Sequence, residues 1–125
     1  MKRITPTLEE FEALRASTPP GPIVVVNLLK FKPDGGREEY MRYVQGALNL
    51  LPQEGRIVYS GKAGPDIIDG IDWDYVALTE YPSIDAFAAV MTDPKYLRES
   101  APIRSSALEK TLCMISYPSA LEDGF

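Results

Sequence analysis

The stretch that most constrains the fold is Ile23 to Phe31, which reads Ile-Val-Val-Val-Asn-Leu-Leu-Lys-Phe. Its β-branched start is stiff at χ1 and favours extended backbone, and nine residues is a strand's length rather than a helix's. A half-buried strand alternates apolar with polar. This one is apolar on both faces, apart from Asn27 and Lys30. It therefore belongs in the middle of a sheet whose two faces are both covered. Asn27 is the conspicuous residue, because a buried amide left without partners costs about 1–3 kcal/mol. Either it orients a ligand carbonyl or phenol, or a backbone group or a dimer mate satisfies it.

The flanking pattern supplies the remaining elements. Thr7 and Glu10 make a capping box, with Leu8, Phe11 and Leu14 on one face of a short helix. The run Thr18 to Pro22 breaks that helix, so residues 1–21 read as an N-terminal helix and Pro-rich linker ahead of a main domain at 22–118. A Gly35-Gly36 turn precedes an amphipathic helix over 37–51, with Tyr40, Tyr43, Val44, Ala47 and Leu48 on its apolar side. Residues 56–62 and 73–81 read as strands, the second stopped by Pro82. Ser83 caps a helix through Met91, and Asp93-Pro94 restarts one towards Leu108, with a break expected near Pro102. Residues 110–117 form the last strand, and an acidic tail occupies 119–125.

The order after the first helix is β-α-β-β-α-β. Right-handed crossovers put the first and third strands side by side, with the second and fourth outside. The expected fold class is α+β, a ferredoxin-like antiparallel sheet with helices on one face. The register Ile23, Val25, Leu29, Phe31, Tyr59, Tyr75, Ala77 and Tyr81 is then assigned to the face the helices leave bare. A second copy of the sheet is its simplest cover, which predicts a homodimer forming a dimeric α+β barrel.

Composition removes whole classes of mechanism. The 125 residues contain no His and one Cys, Cys113. Imidazole acid–base chemistry, His-ligated metals, catalytic triads and CxxC redox pairs are excluded. Thirteen Lys and Arg against 18 Asp and Glu give a charge of −5 with no basic stripe, so nucleic acid is not an expected partner. No apolar run is long enough for a membrane, and residues 1–10 lack a signal-peptide core, so the expected location is cytoplasmic. The acidic loop holding Asp66, Asp69, Asp72 and Asp74 fails the calcium-loop frame, because Ile68 and Ala77 fall at positions 3 and 12. No metal and no cofactor is assigned. Cys113 reads as a buried structural thiol.

Asn27-Leu-Leu-Lys-Phe31, Tyr40-x-x-Tyr43-Val44, Trp73-Asp74, Tyr81-Pro82-Ser83 and Asp93-Pro94-x-Tyr96 with Arg104 beyond occur in an order that resembles the DUF1330 family over about residues 22–117. The resemblance implies a member of the dimeric α+β barrel superfamily, which holds cofactor-independent monooxygenases, haem proteins and small isomerases. Haem members use a histidine ligand that this chain lacks. Asn and Trp recur as site residues in the oxygenase members, which points by analogy to Asn27 and Trp73.

Two functions remain open. In the first, Asn27, Trp73 and Arg104 are catalytic and Tyr43, Tyr59, Tyr81 and Tyr96 bind ligand. The protein is then a cofactor-independent, oxygenase- or isomerase-like enzyme acting on a small hydrophobic or aromatic acid, between sheet and helices. Its acid or base would be Glu80, a Tyr or a Lys with a shifted pKa. In the second, the chain is a non-catalytic ligand-binding or dimerisation module. A buried Arg near Asn27 would favour the first.

Overall fold

The computed structural model describes residues 6–48, 55–70 and 72–119. The chain begins with α1 (Leu8–Ser17), entered through the expected box: Thr7 Oγ1 accepts from Glu10 N at 3.1 Å and Glu10 Oε1 accepts from Thr7 N at 2.8 Å. Strand β1 (Ile23–Phe31) has the predicted bounds, and so does β2 (Arg56–Lys62). Between them α2 (Gly36–Leu48) starts at the double glycine. Gly35 takes φ +82°, and a Cβ on Gly36 would lie 2.6 Å from the Ala107 carbonyl oxygen. Those two glycines serve a tight turn and a close approach. The expected last turn of the helix, residues 49–51, lies outside the described residues, as does the tail from 120.

Strand β3 (Tyr75–Tyr81) begins two residues later than the periodicity predicts. The Asp74 carboxylate is the reason, since its Oδ2 takes the Phe31 N–H at 2.9 Å and so ends the ladder. Next come α3 (Ile84–Met91), capped by Ser83, then a π-helical turn Tyr96–Ser100, then α4 (Ala101–Ala107). Pro102 does not break a helix; it sits in the first turn of α4, directly after the π-helical turn, and helical backbone continues through it. Strand β4 (Leu108–Ser116) follows α4 without a loop.

The four strands form one antiparallel sheet in the order β2-β3-β1-β4, as a ferredoxin-like fold requires. Asn27 stands opposite Ala77 on β3 and Cys113 on β4. The assignment of faces is corrected. Ile23, Val25, Leu29 and Phe31 point at the helices, where they pack with Phe87, Val90, Tyr40 and Ala107. The other face, bare of helices among the described residues, carries Val24, Val26 and Leu28 with their partners Val76, Leu78, Leu112 and Met114. Both registers of β1 are apolar, so periodicity alone could not say which one meets the helices. Tyr59 is on the bare face, as expected. An irregularity between Ile57 and Tyr59 sets it opposite Leu78, and its ring lies over Gly61, where a Cβ would come within 2.5 Å of Tyr59 Oη. Among the described residues no helix is long and apolar enough to cross a membrane.

Candidate functional site

Two apolar clusters pack between sheet and helices. One joins Phe11 of α1 to Ile23, Val25, Tyr81, Ile84, Phe87 and Val90; the other joins Leu29 and Phe31 to Tyr40, Ala107 and Leu108. On β1 the first ends at Val25 and the second starts at Leu29, so the core is interrupted at Asn27. A cavity of about 700 Å³ opens there, bordered by Asn27, Tyr40, Tyr43, Tyr81, Tyr96, Arg104, Thr111 and Cys113.

Arg104, on α4, is the buried charge of the site, only 8% exposed. Its Nη2 donates to Asn27 Oδ1 at 3.0 Å and, less closely, to Thr111 Oγ1 at 3.4 Å. The Thr111 hydroxyl in turn donates to the Leu28 carbonyl at 3.0 Å. The guanidinium is therefore tied to both β1 and β4. Burial works against its charge, but the surrounding Tyr43, Tyr40 and Tyr96 hydroxyls and the Cys113 thiol leave its pKa above the ordinary value. It is a fixed cation.

The tyrosines around it are fixed acids in their neutral form. Burial pushes Tyr40 up to about 12 despite the pull of Arg104. Burial likewise raises Tyr43, Tyr81 and Tyr96. Tyr43 Oη and Tyr96 Oη share a hydrogen bond of 3.0 Å, and the Tyr40, Tyr43 and Tyr96 rings meet in sequence at 5.2 and 6.2 Å. Cys113 differs from the expected buried thiol. It lines the cavity and is exposed there, because its register opposite Asn27 turns it to the helix side, into the gap rather than into packing. Shielding from bulk water raises its pKa, with Arg104 pulling the other way.

The fold thus brings together Asn27, Arg104, Tyr43, Tyr81 and Tyr96 from five elements. It does not bring Trp73 or Tyr59 to them. Trp73 precedes β3, and its ring lies under Lys110 Nζ at 4.7 Å, near the charged corner where Lys30 Nζ meets Asp72 Oδ1 at 2.8 Å. Tyr59 faces the opposite side of the sheet. Glu80 is on that side too, paired with Arg56 at 2.8 Å, which removes it as the site's acid or base. Sequence reasoning missed Thr111 and the whole of α1, whose Glu10, Phe11 and Leu14 border the cavity. For Thr111 the signal was its alternation with Cys113 and Ile115; for α1 it was the apolar stripe of a helix with no cover of its own.

Fold and cavity together define a ferredoxin-like α+β protein with a tyrosine-bordered cavity beside a buried arginine. No protein-family model and no curated protein matches the chain. Among solved structures, RPA0582, a protein of unknown function from Rhodopseudomonas palustris, is 31% identical with a TM-score of 0.84, over 96% of this chain and 99% of that one. The chain belongs to the same family as RPA0582. A dabb family protein from Mesorhizobium loti is similar at 17% identity and a TM-score of 0.56, over 80% of this chain and 99% of that one. SnoaB, a cofactor-independent oxygenase from Streptomyces nogalater, is similar at 14% and 0.58, over 80% and 95%. These last two share the fold.

Proposed function

We propose that the cavity binds a small, largely aromatic ligand by a carboxylate, phenolic or carbonyl oxygen at Arg104 and Asn27, as a cofactor-independent enzyme of the oxygenase or isomerase kind. The observation that carries this reading is Arg104, a buried guanidinium held by Asn27 and Thr111 at the wall of a cavity otherwise lined largely by aromatic and aliphatic side chains. A guanidinium matches a carboxylate through two parallel hydrogen bonds. In a site shielded from water, a preorganised cation also stabilises the anion of an enolisable or phenolic ligand far better than solvent does. Isomerisation and cofactor-free oxygenation can both start from such an anion, the second drawing its electrons from the substrate itself. Tyr40, Tyr43, Tyr81 and Tyr96 stay protonated at neutral pH and orient the ligand through their hydroxyls. Trp73 and Tyr59 have no part in it. The fold shared with SnoaB supports the oxygenase option, and the order of motifs from Asn27 to Arg104 supports placement in the DUF1330 family.

One observation favours a non-catalytic binding module instead. Burial moves the cavity's phenols and its thiol further from neutrality, which makes them poor bases near pH 7.

The reading includes a homodimer formed through the bare face of the sheet. Met114 is 54% and Tyr59 55% exposed there, beside Leu112, Val26 and Leu78. A continuous apolar strip of this kind favours self-association.

The cavity reading is tested by thermal shift with aromatic acids and phenols. Stabilisation of the wild type that disappears in Asn27→Ala and Arg104→Met is expected. Equal stabilisation of all three proteins contradicts it. Oxygen uptake with the same ligands separates the enzyme from the binding module.

A further inference from the structure

We infer that α1 is the specificity wall of the cavity, and that Phe11 and Leu14 set how far a planar fused-ring acid or phenol can extend from the oxygen held at Arg104. The inference rests on the reading of the cavity as a ligand site and adds what limits the ligand's length.

The cavity is polarised along β1. At Asn27 and on the Leu29 side it meets Arg104, Thr111 and the Tyr40, Tyr43 and Tyr96 hydroxyls. Two residues away, roughly 7 Å along the strand, Val25 belongs to the apolar cluster built on Phe11 and Phe87. A ligand with its oxygen at Arg104 therefore directs its body towards α1. The walls on that side carry three rings beside the polar Glu10 and Thr79: Phe11 and Phe87 stand 6.0 Å apart in a tilted pair, and Phe87 and Tyr81 stand 5.2 Å apart edge to face. Flat, stiff surfaces suit a flat body, since aromatic pairs gain from offset or edge contacts. A volume of about 700 Å³ falls within the range that holds drug-sized ligands, so more than one ring has room.

The attachment of α1 is light. Phe11 is its buried residue, Leu14 is half-buried, and its ion pair to α3, Arg15 to Asp85 at 3.0 Å, is exposed and contributes little. Changes at Leu14 therefore alter the wall at the Phe11–Val25 end of the cavity, in a cluster that does not contain Arg104.

The test measures binding of benzoic, 2-naphthoic and 2-anthroic acids by isothermal titration to wild type, Leu14→Trp, Leu14→Ala and Arg104→Met. Affinity is expected to rise with ring number in the wild type. Leu14→Trp should lose about tenfold or more for the three-ring acid while benzoic acid is held as before, the size of effect that pocket-shape changes produce. Leu14→Ala should favour the longest probe. Leu14→Phe, a smaller step, should give the same order and guards against a folding defect in the Trp variant. If the Leu14 variants leave the order of the acids unchanged while Arg104→Met abolishes binding, the α1 wall is overturned and the anchor reading stands. If they reorder the acids while Arg104→Met has no effect, the anchor fails and the wall stands. If no acid binds the wild type, both are overturned.

Discussion

The two faces of the sheet share the same strands and the same β-branched sequence, yet they are used in opposite ways. The helix face is covered and interrupted: Ile23, Val25, Leu29 and Phe31 are buried, but between them Asn27 and Arg104 hold a polar junction open to a cavity. The other face is bare and, along Val24, Val26 and Leu28, uninterrupted. A polar break inside a packed face is retained where chemistry needs it, because an apolar pair of similar volume would pack without its desolvation cost. An unbroken apolar strip left to solvent is retained where another surface covers it. One face is read as the ligand's and the other as a partner's.

The largest expected effect comes from breaking the junction. Arg104→Met leaves Asn27 and Thr111 without their cation; ligand affinity should fall by about 2–5 kcal/mol, the cost of truncating one side of a buried charged pair, as read by titration. Next is the bare face. Leu112→Asp with Met114→Glu should convert a dimer to a monomer in sedimentation at micromolar concentration while ligand binding is kept. Monomer in the wild type as well would remove the distinction between the faces.

A third effect is alkaline instability. Burial raises Tyr40 from the ordinary value of 10 to about 12 and raises Tyr43 and Tyr81 as well. The folded state then holds protons that the unfolded chain releases. The stabilisation is fully present below pH 10 and declines as pH rises through about 12, so the melting temperature should fall across that window. Tyr40→Phe should soften the decline. The smallest effect is Tyr43→Phe, which removes the hydroxyl pair with Tyr96 and should cost about 0.5–1.5 kcal/mol in a denaturant melt.

Much of the helix-face architecture was legible in the sequence. The nine-residue strand, the capping box at Thr7, and the proline that ends β3 each follow from local backbone chemistry. Asn27 and Arg104 could be picked out as the amide in an apolar strand and a cation beside Ile103. That they meet could not, because residues 77 positions apart are joined by how α4 lies on the sheet. The phase of β1 was illegible for a different reason: with Val on both sides, either register fits the core. Trp73 was misplaced because its pairing with Asn27 came from analogy, whereas its position just ahead of β3 takes it to Lys110. The role of α1 was hidden by its Pro-rich linker, which reads as a boundary although the helix returns to the cavity.

In the proposed site Arg104, held by Asn27, grips the ligand's oxygen. This grip is tested most directly by following the side-chain Nε–Hε resonances of the arginines in a nitrogen-15-labelled protein during titration with 2-naphthoic acid, Arg104 being assigned by its absence in Arg104→Lys. The Arg104 resonance should shift in step with saturation while those of exposed Arg42 and Arg98 stay in place. Saturation with the Arg104 resonance unmoved would contradict it.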